Sequence, residues 1–219
     1  MPAYPTNPDA PILETDYEGR NVREISFAST KLILGRFPAV DFFRDGSFYL
    51  LDSPGHAIGH MCALCRTTAG PDPTFIFLGA DSCHHGGEFR PTQYLPLPTE
   101  ITPSPVPHIH PSPCPGALLA QIHRLSPSPS AHTEPFFLPS AKAAHDIEKA
   151  RESLMKMTEF DGNESVLTMI AHDTSMLDVV GFFPNMSANG WKNKGWKADG
   201  LWKFLTDFGA AVQSAKGSN

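Results

Sequence analysis

The stretch Ser47–Gly87, SFYLLDSPGHAIGHMCALCRTTAGPDPTFIFLGADSCHHGG, decides how the chain is read. It holds two apolar, β-prone runs, and each stops at side chains able to bind a metal. FYLLDSP stops at Gly55-His56, and TFIFLGA stops at Asp81. Further on, SVLTMIA stops at His172-Asp173 in the same way. Short apolar runs bounded by Gly, Pro or Asp read as buried strands. Three such strands deliver His, Asp and His from their C-terminal ends, and a rigid sheet can build a metal site in that way.

Outward from this stretch the chain reads as a mixed α/β protein. The start, MPAYPTNPDAPILETDYEGR, is a Pro-, Asn- and Asp-rich loop. REISF, LILGRF and AVDFF read as strands, and Arg44-Asp-Gly-Ser47 as a hairpin turn into FYLLD. HMCALCRTT reads as one more strand. From about Pro91 to Pro139 prolines recur, with PSPVPHIHPSPCPG and SPSPS as extremes. Proline removes backbone donors and fixes φ, so this insertion is expected to be a long, irregular surface excursion with a helical turn or two at GALLAQIHRL. Ser140 reads as the N-cap of a helix that places Ala143, Ile147, Ala150, Leu154 and Met157 on one face, with Asp161-Gly-Asn as its stop. A further helix is expected to begin within Ser175–Val180. FFPNMSANGWKNKGW reads as a loop, and Leu201, Trp202, Leu205 and Phe208 as the apolar face of a terminal helix.

The bulk numbers narrow the function classes. At 219 residues, 41% hydrophobic and 18% charged, the chain fits one globular domain over 1–219. A formal net charge of -6 without a Lys/Arg block speaks against nucleic acid as a partner. No apolar run is long enough to span a bilayer, so no membrane partner is expected. Without a secretory signal, Cys62, Cys65, Cys83 and Cys114 are expected as reduced thiols in a cytoplasmic protein. Cys62 and Cys65 form C-x-x-C on a strand, where residues three apart face opposite ways and cannot chelate together. G-x-S-x-G, P-loop and G-x-G-x-x-G motifs are absent, which removes serine-hydrolase and nucleotide-binding readings.

His56, Asp81 and His172 each also fit a bland reading, as a hydrogen-bonded histidine or a turn-capping aspartate. Their repeated placement after strands shifts the reading toward a metal or catalytic site. SPGHAIGH, FIFLGAD and IAHD, in that order, resemble the later part of the metallo-β-lactamase fold superfamily, in the flavour of N-acyl homoserine lactonase-like metallohydrolases. The resemblance covers about Ile25–Arg90 and Ser165–Val180. It implies a partial αββα sandwich, a mixed β-sheet with flanking helices. It implies that His56 binds a first metal, that Asp81 bridges two metals and is catalytic, and that His172 binds the second. One or two zinc ions would be the cofactor, and a small-molecule lactone, ester or thioester the substrate.

The family's H-x-H-x-D-H hallmark does not occur in these 219 residues. His108-Ile-His110 has part of the spacing, but Pro111-Ser112 follow, and the pair lies after Asp81. The first metal would keep only His56 and Asp81, and the second Asp81 and His172, against the about three protein ligands of a catalytic zinc. His60 is expected to be structural, and His84 and His85 to line the mouth. The primary expectation is therefore a metal-dependent hydrolase with a reduced metal centre. The competing expectation is a truncated, non-catalytic remnant that acts as a binding module. Apolar faces left open by a missing half are expected to favour a homo-oligomer.

Overall fold

The computed structural model describes residues 3–10 and 12–217. Residues up to Thr30 form one compact unit and residues from Lys31 onward a second. In the first unit, Tyr4 and Leu13 bridge, with Tyr4 N–H donating to the Ile12 carbonyl at 3.0 Å, and a 3-10 turn follows at Glu14–Asp16. The strand expected at REISF does not form. Ile25 and Phe27 alternate with Glu24 and Ser26 as they would in a strand, but no described strand pairs with the segment.

The second unit is built on a six-stranded mixed sheet in the order β1-β2-β3-β4-β5-β8. Its strands are Ile33–Leu34 (β1), Phe37–Asp41 (β2), Phe48–Asp52 (β3), Met61–Arg66 (β4), Phe75–Leu78 (β5) and, after a long crossover, Val166–Met169 (β8). The first five pair antiparallel, and β8 joins β5 in parallel, with Phe75 opposite Val166 and Leu78 opposite Met169. LILGRF is not one strand, because Gly35 and Arg36 take φ of 51° and 70° and turn the chain between β1 and β2. The β2–β3 connection is wider than a two-residue turn. Arg44 and Gly46 take the positive φ values, and the Asp41 carboxylate accepts the backbone N–H groups of both at 2.9 Å.

Side chains alternate across the sheet. Phe37, Ala39, Leu51, Cys62, Leu64, Phe77 and Val166 fill one face and pack against Leu154 and Met157 of a helix. Ile76 and Leu167 point the other way and meet Met176, Trp191 and Trp196.

The crossover between β5 and β8 carries Glu100–Ile101 (β6) and Cys114–Pro115 (β7), paired with each other. Two helices follow, Gly116–Ala120 (α1) and Ile147–Asp161 (α2). Beyond β8 lie Trp196–Gly200 (α3), a 3-10 segment at Lys203–Phe208 and Gly209–Gly217 (α4). The Pro-rich stretch is irregular, as expected, but it is no surface excursion. Leu97, Ile101, Val106, Cys114, Leu119 and Phe136 are buried against Trp202, Phe204, Leu205 and Val212 in a second core. Proline limits backbone pairing but leaves the apolar side chains between prolines free to pack. The segment Ser175–Val180 holds only the 3-10 turn Thr174–Met176.

The helix expected from Ser140 begins instead at Ile147, capped by Asp146, whose carboxylate accepts Lys149 N–H at 3.1 Å. Ser140 caps only a 3-10 turn at Ala141–Ala143. Helical geometry stops there because the N–H groups of His145 and Asp146 donate to the carbonyls of His56 and Gly55, at 3.0 and 2.9 Å.

The far end of α2 is held by charge. Arg90 binds Asp161 through two bonds of 2.7 and 2.6 Å, and both side chains are buried. The Lys197 ammonium donates to the carbonyls of Asp161, Asn163 and Val166 at 2.6–2.7 Å, around the helix C-terminus where carbonyls lack helical partners. Burial lowers the pKa of Lys197 to about 8, which leaves it charged at neutral pH. Among the described residues no helix is long and apolar enough to cross a membrane.

Candidate metal centre

The C-terminal ends of β3, β5 and β8 converge at one edge of the sheet. After β3 the chain turns at Gly55, φ 130°, and presents His56. The parallel pairing of β5 and β8 continues past the strands, with Gly79 N–H on the Met169 carbonyl at 2.7 Å and Ala171 N–H on the Ala80 carbonyl at 2.8 Å. Both chains then turn through left-handed conformations, Ala80 at φ 45° and His172 at φ 66°. Such conformations are uncommon outside glycine and cluster at functional sites. They bring His172 Nε2 to 3.0 Å from the Asp81 carboxylate, where the ring N–H donates.

One ligand atom each from His56, Asp81 and His84 lies within 4.8 Å of the others. The donor chemistry fits a divalent cation. Two imidazoles and a carboxylate give three protein ligands and leave a coordination position open. His56 Nδ1 is 2.9 Å from the Ala143 carbonyl, which can only accept, so Nδ1 carries the proton and Nε2 keeps its lone pair. A backbone carbonyl commonly orients a metal-binding histidine in this way. Glu88 closes the cleft beside the cluster, and its carboxylate accepts His84 N–H at 3.0 Å.

The remaining sequence candidates separate by their hydrogen bonds. His60 Nδ1 lies 2.9 Å from the Ser53 carbonyl, and its Nε2 accepts Asp81 N–H at 3.2 Å. Burial lowers its pKa, and the neutral ring is the form that can accept from Asp81. His60 therefore positions the backbone of Asp81. His85 turns away: Nδ1 accepts Gly87 N–H at 2.9 Å, and Nε2 donates to Asp207 at 3.2 Å among Phe137, Phe204 and Phe208. His110 binds the carbonyl of Pro111 in the Pro-rich crossover. Cys62 and Cys65 are free thiols, and Cys62 Sγ lies 3.1 Å from Ser82 Oγ.

The structure thus brings the expected residues His56, Asp81 and His172 to one place. It adds His84 to the cluster, which sequence reasoning had set at the mouth. His84 lies three residues past Asp81 in a non-helical bend, so no periodic pattern in the sequence marked it. His172 sits on the Asp81 carboxylate, with its ring stacked against His84 at 5.7 Å between centroids.

A mixed sheet whose strand ends converge on a His/Asp cluster defines an α/β protein with a candidate metal site at the carboxyl edge. Comparison with curated proteins gives the family. The chain is 46% identical over 211 residues to the metallo-hydrolase mfmC of Annulohypoxylon moriforme, covering 96% of this chain and 53% of that protein. It is 45% identical over 212 residues to the gamma-lactamase FDB1 of Fusarium pseudograminearum, covering 95% of this chain and 49% of that protein. It is 48% identical over 161 residues to the gamma-lactamase MBL2 of Gibberella moniliformis, covering 72% of this chain and 64% of that protein. The chain belongs to the metallo-β-lactamase family, and it spans about half the length of the first two relatives. No family model matches it, and no solved structure matches it.

Proposed function

We propose that the chain carries a metal-dependent hydrolase site acting on a cyclic acyl bond, a γ-lactam or a lactone. The observation that carries this reading is the His56–Asp81–His84 cluster, with the His56 tautomer set by the Ala143 carbonyl. The relatives named metallo-hydrolase and gamma-lactamase agree with it. His56 Nε2, the Asp81 carboxylate and the His84 ring would hold one zinc ion. A zinc ion there would supply Lewis-acid polarisation of the substrate carbonyl. Asp81 is oriented from two sides, by His60 through its backbone N–H and by His172 through its carboxylate. The His172 Nε2–H, donated to the Asp81 carboxylate, would hold a proton at the edge of the site for the ring-opening heteroatom.

The test is zinc stoichiometry together with hydrolysis of a panel of γ-lactams and γ-lactones by the 219-residue chain. One tightly held equivalent, lost in both His56→Ala and His84→Ala, and metal-dependent ring opening are expected. Trace zinc that neither substitution changes would remove the proposal.

A further inference from the structure

The metal cleft continues into a groove that the reaction itself does not require. A cavity of about 420 Å³ lies between α2 and the chain on either side of the second core, and it shares Glu88 and Pro139 with the metal cleft. That volume is in the range of small-molecule sites. Tyr94, Leu138, Leu154 and Met155 give it an apolar wall, and Gln93 and Thr158 are among the polar residues that also line it. Leu138 and Met155 stand 57% and 55% exposed.

The charged groups at the groove already have partners. Glu88 accepts His84 N–H, Arg151 binds Glu148 at 2.8 Å, and Glu134 faces Arg124 at 3.6 Å. Glu88 keeps its negative charge, since its partner is a backbone N–H, and Arg151 is already held by Glu148, so an anionic ligand is disfavoured, whereas an uncharged apolar chain would cover Leu138 and Met155. We infer that this groove binds the neutral, apolar acyl or aryl portion of a carbonyl compound whose polar end lies at the His56–Asp81–His84 cluster. The site for the tail stands on the groove alone. Only the placement of the carbonyl rests on the function proposed above.

Octanamide is a suitable probe, because it pairs a carbonyl with an unbranched tail and its binding is read without turnover. Isothermal titration of the 219-residue chain should show one saturable site. Butanamide should bind far more weakly, by about fourfold for each methylene no longer buried. Leu138→Gln and Met155→Gln sit at exposed positions, so the urea midpoint should hold while octanamide binding weakens about tenfold or more. Phe183→Gln, at a site 91% exposed and outside the groove, should bind as the parent does. His56→Ala should lose zinc yet keep octanamide. That result separates the two readings, since ring-opening activity can fail while the groove stands. Octanamide binding that Leu138→Gln and Met155→Gln leave unchanged, or no saturable binding, would overturn the inference.

Discussion

Gly55→Ala tests the link between the sheet and the metal cluster. A Cβ at Gly55 would lie 2.1 Å from Ala150 N, 2.4 Å from Ala150 Cα and 2.7 Å from the Lys149 carbonyl carbon. These are backbone atoms of the first turn of α2, so no side-chain rotation relieves the clash. Restoring ordinary contact at ~3.5 Å from 2.1 Å requires a shift of roughly 1.4 Å. Overpacking of this kind costs about 1–3 kcal/mol. Holding alanine at φ 130° adds a further 1–3 kcal/mol or so. The sum, about 2–6 kcal/mol, is a large share of the roughly 5–15 kcal/mol that a domain has in hand.

The same shift separates His56 from Asp81 and His84, because the Gly55 and His56 carbonyls are the acceptors that hold His145 and Asp146. Gly59→Ala is the control. Its φ is 75° and no atom lies within 4 Å of the added Cβ, so only the backbone term of about 1–2 kcal/mol applies. Urea unfolding gives the stability difference, and competition with a chromophoric chelator gives zinc affinity. Gly55→Ala is expected to lose more of both than Gly59→Ala. Equal losses in the two variants would refute the reasoning.

Other expectations follow from buried charge and from the site. Arg90→Met leaves Asp161 as an unpaired buried carboxylate and should cost about 3–5 kcal/mol, while the double variant with Asp161→Leu recovers most of it in urea unfolding. His172→Ala should weaken zinc binding about 10–100-fold, the usual effect of losing a residue that orients a ligand, with an unchanged urea midpoint. His123 donates from Nε2 to the Glu134 carbonyl at 2.8 Å and accepts Leu125 N–H on Nδ1 at 3.1 Å, so protonation breaks the second bond. Burial lowers its pKa below 6.5, and the Arg124 charge adds to this against the Glu134 carbonyl and carboxylate. The unfolded chain therefore binds the proton first. The His123 contribution to stability is complete above pH 6.5 and declines as pH falls through 6.5 toward the folded value. In His123→Gln the pH slope of the urea midpoint should flatten.

The strand-end pattern was legible because burial imposes it locally. FYLLD, FIFL and VLTM are apolar runs that stop where the chain leaves the sheet, and the residues just beyond them land at one edge. Long-range backbone bonds were not legible. Nothing in SAKAAHDIEK shows that His145 and Asp146 will spend their N–H groups on the His56 loop, and this delays the helix to Ile147. The second core was hidden for a related reason. Proline-rich sequence signals irregular backbone, but Leu97, Val106 and Phe136 are buried by Trp202, Phe204 and Leu205, which lie far along the chain. Period-based reading detects regular elements and is blind to apolar residues spaced irregularly.

The histidines of the site show what spacing alone leaves open. Each imidazole has two nitrogens, and a ring can bind a metal only through one that keeps a lone pair. His60 uses both, donating to Ser53 and accepting from Asp81, so it orients the site without joining it. His85 also uses both, on Gly87 and Asp207, and its ring packs against Phe137, Phe204 and Phe208. His56 uses only Nδ1, on a carbonyl, and keeps Nε2 for a ligand. His84 spends its backbone N–H on Glu88 and stands with its ring between His56 and His172, at 5.2 and 5.7 Å between centroids. The sequence reading set His60 as structural and treated His84 and His85 alike, as residues lining the mouth. Accounting for ring nitrogens divides them, with His84 beside His56 in the cluster and His60 and His85 in the frame that holds it.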